Sequence, residues 1–238
     1  TERSGLFGLL IYYAAVNFLL NVSAVMLGPL VLSFGSAASL GLAQSVMGAG
    51  MFAGSLLMSL WGGPKNNRIR IIIGAIALAS FGFIVAGLKP EMIYIIVGLF
   101  IFMFFIPIGS GPSSALFSAK VDPQVQGRVF ATRSMISQSM MPLAFILSGV
   151  LADSVFNPLL MEGGALADTF VGGIIGTGPG RGIGLMLVCS GLILLIVSAI
   201  AYAYPRIRNI EKEIPDVVVE ARDVSTPRKV DEKVPSTG

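Results

Sequence analysis

The chain has 238 residues, of which 54% are hydrophobic and only 12% are charged, and its net charge is +3. Soluble domains carry about 25% charged residues, so this composition excludes an ordinary soluble protein and predicts one that is solvated by lipid. The small net charge argues against a nucleic-acid partner. With no histidine and one cysteine, the chain lacks the usual groups of metal sites and hydrolytic triads, so neither an enzyme nor a cofactor is expected.

The charged residues are concentrated at the end of the chain. Fourteen of the 29 lie in residues 205–238, which leaves 15 for the first 204. The segment 206–238 is interrupted by prolines and contains no aromatic residue, so it cannot bury enough apolar surface to fold. We therefore predict a transmembrane domain at 1–205 and a disordered, solvated tail at 206–238.

Long uncharged intervals predict the membrane-spanning helices. Residues 5–64 contain no charge, and at about 1.5 Å per residue this length suits two crossings, divided by the small polar residues at 33–39. The fold class is therefore all-α integral membrane. Six transmembrane helices are predicted, at about 6–32, 40–62, 69–88, 91–118, 128–152 and 182–204. The glycine-rich interval 153–181 is predicted to be a loop.

Basic residues are distributed unevenly between the two sides of these helices. Six crossings place both chain ends on one side, and the opposite side carries only Lys89 and Arg181 near the membrane. The first side carries ten basic residues: Arg3, Lys65, Arg68, Arg70, Lys120, Arg128, Arg133, Arg206, Arg208 and Lys212. Because lysine and arginine accumulate in cytoplasmic loops, both termini are predicted to be cytoplasmic and the 153–181 loop extracytoplasmic.

Uncharged polar side chains are concentrated on four of the six helices, and no charged side chain is predicted at mid-membrane depth. An amide that faces lipid leaves its donors and acceptors unpaired, at a cost of several kcal/mol. The first, second, fourth and fifth helices are therefore predicted to face one another or water, and the third and sixth to be peripheral. Hydrogen bonds between helices are the alternative explanation. The candidate substrate-cavity residues are Asn17, Asn21, Gln44, Ser110, Ser114 and Gln138.

Prolines inside the predicted helices indicate bends, because each removes a backbone donor. The prolines in question are Pro29, Pro107, Pro112 and Pro142. Glycine–proline pairs at comparable places in the two three-helix sets predict a pair of inverted repeats. A GxxxG motif at 50–54 predicts close helix packing.

Three stretches carry a resemblance to a known family. WGGPKNNR at 61–68 resembles the basic loop between the eighth and ninth helices of major facilitator superfamily transporters. VDPQVQGRV at 121–129, followed by PL at 142–143 and GVLAD at 149–153, resembles the tenth-to-eleventh-helix region of the macrolide-efflux and enterobactin-exporter branch. The chain departs from the superfamily's basic-loop motif because no aspartate follows Gly63.

The resemblance covers about residues 6–205 and implies the carboxy-terminal half of a twelve-helix transporter, whose amino-terminal six-helix half lies outside this chain. It implies alternating-access efflux of amphipathic small molecules such as drugs, macrolides or siderophores, across the plasma membrane, which is the inner membrane in bacteria. Proton coupling is also implied, and its titrating group is expected in the other half. The cytoplasmic gate and topology residues are expected to be Lys65, Arg68, Arg128 and Arg133.

A second interpretation remains open on the residues alone. A six-helix protein complete in itself could act as a homodimeric carrier or as a membrane scaffold. The first residue, Thr1, and the lack of a coupling carboxylate in the predicted helices favour the half-transporter.

Overall fold

The computed structural model describes residues 2–64, 67–120 and 123–205. Within these ranges only the backbone is described for residues 2–10, 115–120, 123–124, 133, 136–137 and 140. Lys65, the side chain of Arg133 and the predicted tail at 206–238 therefore lie outside the described part of the protein.

Helices account for nearly all of the described chain, and no strand occurs within the described ranges. The long helices are α1 (Glu2–Leu32), α2 (Ala37–Trp61), α3 (Arg68–Leu88), α4 (Met92–Lys120), α5 (Pro123–Leu151) and α8 (Arg181–Ala203). Between α5 and α8 lie a π-helical turn (Ala152–Phe156), α6 (Asn157–Leu160) and α7 (Phe170–Ile175). Within the described residues, six segments are long and apolar enough to cross a membrane, so the predicted all-α, multi-pass membrane fold is confirmed.

Local chemistry explains where α2 begins and ends. Ser36 caps its first turn, and the Ser39 backbone N–H donates to the Ser36 side chain while Ser39 accepts from the Ser36 backbone. Gly62 ends the helix in the left-handed conformation, at φ 74°, which glycine adopts without steric cost. The helix therefore agrees with the predicted span 40–62 to within three residues at its start and one at its end.

The prediction for residues 153–181 is wrong in its first part. The fifth membrane-spanning segment runs over Met141–Leu160, because the π-helical turn and α6 follow α5 without an intervening loop. The sequence predicts a loop that begins at Asp153, but this residue lies inside the π-helical turn. Pro158 is the second residue of α6 and lies two residues past the π-helical turn.

The helices form two layers. α3 packs against α4 and α8, α8 packs against α1, and α2 and α5 flank the bundle by packing on α4 and α1 respectively. A hydrogen bond between Tyr13 of α1 and Ser113 of α4 joins those two helices directly. The row α2–α4–α1–α5 is therefore one layer, and α3 with α8 is the other.

The burial of α3 and α8 differs from the expectation that they are peripheral. Half of the residues of their membrane segments are buried, against 17% for α2 and 22% for the segment of α5. α3 packs between α8 and α4, and α8 packs between α3 and α1. These two neighbours account for the burial of each helix. They occupy a separate layer, as the polar pattern predicts, but they are also the most enclosed helices of the bundle.

Glycines allow the closest helix contacts. A Cβ atom added at Gly82 of α3 would overlap the carbonyl oxygen of Gly98 and lie 2.7 Å from the backbone nitrogen of Phe102, both in α4. Gly54, which ends the GxxxG motif of α2, packs in the same way against the carbonyl of Phe104. The predicted packing role of this motif is confirmed. The contact between α3 and α8 uses Gly87, Gly184 and Gly191.

Candidate functional site

Four of the six candidate cavity residues are exposed on the bundle. Gln44 lies on α2, Ser110 and Ser114 on α4, and Gln138 on α5. Gln138 donates to the hydroxyl of Ser134, 3.5 Å away in its own helix. All three helices belong to the layer α2–α4–α1–α5. Because an exposed amide in hydrocarbon is costly, this layer is expected to face water or another polypeptide rather than lipid.

The other two candidates, Asn17 and Asn21, are half-buried on α1. The amide nitrogen of Asn17 donates to the carbonyl of Tyr13, and that of Asn21 donates to the carbonyl of Asn17, both at 2.8 Å. The i to i+4 spacing makes these bonds possible, since such residues lie one above the other on a helix. One N–H of each amide is thus bonded inside α1. We refer to Asn17, Asn21, Gln44, Ser110, Ser114 and Gln138 together as the polar set.

The Tyr13–Ser113 hydrogen bond joins α1 to α4 within the membrane. The two hydroxyl oxygens are 3.0 Å apart, and Ser113 is 2% exposed. Ser110 and Ser114 were selected from the sequence, but Ser113 was not. Adjacent residues point about 100° apart on a helix, and α4 is apolar around most of its circumference, so the sequence alone does not show which serine faces α1.

Removing this hydrogen bond should weaken the bundle without unfolding it. We expect Tyr13→Phe and Ser113→Ala each to lower the free energy of unfolding by about 1 kcal/mol, because hydrogen bonds between membrane helices are worth about 0.6–2 kcal/mol. Thermal unfolding of the two single variants and the double variant in detergent gives the coupling energy directly. Strictly additive effects would contradict a direct interaction between the two hydroxyl groups.

The predicted bend and gate residues are distributed over the bundle. Pro29, Pro107, Pro112 and Pro142 all lie inside helices that continue past them. Pro112 is buried, whereas Pro29 and Pro142 are exposed. Of the gate residues, Arg68 begins α3 and its Nε lies 3.5 Å from the carbonyl of Pro64, which accepts its hydrogen bond, and Arg128 is exposed on α5. The structure therefore places these two gate candidates at helix ends and does not bring them into contact with the polar set.

Two further polar contacts were missed from the sequence. The hydroxyl groups of Tyr12 and Ser198 lie 3.5 Å apart, both buried, and they link α1 to α8. Arg181, expected in a loop, is only 3% exposed; its guanidinium donates to the carbonyl of Ile175 at 3.1 Å and lies 5.8 Å from the ring of Phe34. Arg181 thus holds α7 and the α1–α2 turn against the start of α8. The glycine-rich sequence at 176–182 does not predict the contacts of Arg181 with Ile175 and Phe34.

Comparison with known proteins gives one consistent match. The chain is 33% identical over 114 residues to Macrolide efflux protein A of Streptococcus pyogenes, a stretch that is 45% of this chain and 27% of that relative. It is 32% identical over 102 residues to Macrolide efflux protein A of Enterococcus faecalis, covering 40% of this chain and 30% of the relative. The matched part is therefore less than a third of each relative. No family model matches the chain, and no solved structure matches it.

Proposed function

We propose that this chain, whose resemblance to macrolide-efflux transporters is confirmed by these relatives, is the carboxy-terminal half of a twelve-helix exporter. The similarity to Macrolide efflux protein A carries the proposal. The exporter would move macrolides and related amphipathic small molecules out of the cell by alternating access. It would lie in the plasma membrane with both termini of this half in the cytoplasm, in agreement with the bias of basic residues.

The exposed members of the polar set support a second six-helix half that packs against this one. Gln44 and Gln138 lie on the two flanking helices: α2 packs mainly on α4, and α5 packs on α1. A second six-helix half against the same layer would enclose these amides in a cavity between the halves. The methionines of α2 and α5 that remain exposed, Met51, Met135 and Met141, would give that cavity an adaptable apolar lining.

An accumulation assay tests the exporter proposal. The full-length protein, produced in a macrolide-sensitive bacterium that lacks other macrolide exporters, should lower the steady-state cell content of radiolabelled erythromycin. A protonophore should restore the content to the level of the vector control if export is proton-coupled. Cell content equal to the vector control at verified membrane abundance would contradict export of this substrate class.

The coding sequence upstream of Thr1 tests the half-transporter architecture. Six further hydrophobic segments in the same frame would support a twelve-helix protein. A start codon immediately before Thr1 would favour the alternative, in which a second copy of the six-helix bundle covers the polar set. Crosslinking of single cysteines on α2 and α5 in membranes would then distinguish a homodimeric carrier from a monomeric scaffold.

A further inference from the structure

The first two turns of α8 are enclosed by protein, unlike the rest of that helix. All residues from Arg181 to Leu187 are buried, although the last membrane-spanning segment begins at Arg181. Further along, α8 exposes apolar side chains at a spacing of three or four residues, which places them on one face. We call this face the α8 stripe; it comprises Leu192, Ile193, Ile196 and Ile200.

The segment 157–180, which contains α6 and α7, forms part of the cover over the start of α8. Leu160 of α6, Ile175 of α7 and Leu185 of α8 form a small buried core. Leu185 is the fifth residue of α8, so it lies about 6 Å along the axis from the beginning of that helix. Because Ile175 shares this core, α7 lies beside the first turns of a membrane-spanning helix.

Hydrogen bonds hold this segment together where water is scarce. The backbone N–H of Gly178 donates to the carbonyl of Leu160 at 2.9 Å. The last carbonyls of a helix have no intrahelical donor, and here the carbonyl of Ile175, the last residue of α7, accepts from the guanidinium of Arg181 at 3.1 Å. An unpaired backbone group at the edge of the hydrocarbon would be costly, so these bonds suit a segment that lies there.

α7 exposes apolar side chains although it lies at a helix connection. Its six residues, FVGGII, include no polar side chain. Gly172 and Ile175 are buried, whereas Phe170 is 82% exposed and Ile174 is 38% exposed. Phe170 and Ile174 are four residues apart and therefore lie on the same face. Phe170 is also the most exposed large apolar side chain of the described residues. This face therefore needs an apolar partner.

The position of α7 favours lipid as that partner. α7 packs mainly on α3 and α8, which form the layer opposite to the one that carries the polar set. The second half proposed above would cover the layer α2–α4–α1–α5 and would leave α7 uncovered. The α8 stripe belongs to the same layer as the helices under α7 and is exposed as well. The apolar face of α7 is thus continuous with a surface that meets the bilayer.

The charge next to α7 limits how deeply it can be inserted. Asp168 is exposed and lies two residues before Phe170. A carboxylate is costly inside the hydrocarbon, so the beginning of α7 stays at the level of the lipid headgroups. Helices at this level bury their apolar face about 5–10 Å into the boundary between headgroups and acyl chains. This depth agrees with the core that Ile175 shares with Leu185.

We propose that α7 is an interfacial anchor whose side chains Phe170 and Ile174 contact lipid acyl chains in the leaflet at the beginning of α8. The choice of lipid rests on the two-half arrangement proposed above, and in the orientation proposed there this is the outer leaflet. Arg181 extends the effect of the anchor, because it bonds the end of α7 and lies 5.8 Å from the ring of Phe34 in the α1–α2 turn. A lipid-held α7 therefore also fixes that turn.

Spin labels on the full-length protein in lipid vesicles test the anchor. Native cysteines are replaced by serine, and single cysteines are introduced as Phe170→Cys, Glu162→Cys and Ile196→Cys. Power saturation measures the accessibility of each label to oxygen, which concentrates in lipid, and to a water-soluble nickel chelate. The ratio of oxygen to chelate accessibility should be at least about threefold higher at position 170 than at position 162, an exposed position of the same segment. Position 196, in the α8 stripe, gives the value for lipid contact.

Tryptophan fluorescence provides a second measurement with a smaller probe. Phe170→Trp should add emission that is quenched more by lipids brominated near the headgroup end of the acyl chain than by lipids brominated near its terminal methyl group. Glu162→Trp is the matched control, and the emission that it adds should be quenched by neither lipid.

Three results would overturn the proposal, and they can be told apart. Chelate accessibility at position 170 equal to that at position 162 places α7 in water. A label shielded from both reagents at position 170, with position 196 open to oxygen, shows that a polypeptide covers α7 and contradicts the anchor alone. Shielding from both reagents at positions 170 and 196 shows that the α3–α8 layer is covered by protein, which also contradicts the two-half arrangement.

Discussion

The substitution Gly82→Val is expected to prevent the six helices from packing into a stable bundle. The added side chain would meet the Gly98 carbonyl and the backbone nitrogen and Cβ of Phe102, the last two at 2.7 and 2.8 Å. Backbone atoms of α4 cannot rotate away as a side chain would, so α3 and α4 must separate. Overpacking of a core costs about 1–3 kcal/mol when side chains can adjust, and we expect at least about 3 kcal/mol here.

Gly74→Val is the matched control for this substitution. Gly74 lies on the same helix, and a Cβ atom there would meet nothing within 4 Å. The amount of full-length protein in membranes and its unfolding temperature in detergent should fall for Gly82→Val and remain near the wild-type values for Gly74→Val. Equal unfolding temperatures for both variants would show that the α3–α4 contact is not tight in the membrane.

Leucine in place of Gln138 is expected to reduce erythromycin efflux about tenfold at unchanged membrane abundance. Gln138 is exposed on α5 and donates only weakly, at 3.5 Å, to Ser134, so the bundle does not need its amide. If the amide binds substrate, its loss costs about 0.5–1.5 kcal/mol for each hydrogen bond, and a polar group of the substrate left buried without a partner costs more.

Ile146→Leu serves as the control because Ile146 is also exposed on α5, at 67%, but carries no hydrogen-bond donor. The initial rate of efflux from preloaded cells should fall for Gln138→Leu and not for Ile146→Leu. Gln44→Leu on α2 should act in the same direction. Unchanged efflux in Gln138→Leu would remove this residue from the cavity, and reduced membrane abundance would assign it to folding.

The six crossings were predictable because a bilayer imposes one simple length on every span. An uncharged interval either covers about 30 Å of hydrocarbon or does not, and α3, predicted at about 69–88, is Arg68–Leu88 in the structure. The end of α5 was not predictable in this way. A charged residue such as Asp153 after a long apolar run predicts the end of a membrane helix. In the structure the helix continues to Leu160, and the backbone of Phe156 and Asn157 packs against Gly182.

The side-chain contacts between helices were the hardest feature to predict from the sequence. The amides of the polar set could be assigned to four helices from composition alone, because lipid excludes unpaired amides wherever they lie. Whether Ser113 or Ser114 contacts Tyr13 depends on the rotation of α4 about its axis. The burial of Arg181 depends on α7 and on Phe34, which is 147 residues earlier in the chain.

The hydrogen bonds inside α1 also bear on how the protein is made. Tyr12 finds its partner Ser198 only after a further 186 residues have been synthesised, which takes roughly 10–40 s at typical translation rates. During that time α1 sits in the membrane before α5 and α8, its main packing partners, exist. Asn17 and Asn21 each satisfy an amide donor on a carbonyl of the preceding turn. These bonds lower the cost of exposing the two amides to lipid before α5 and α8 are inserted.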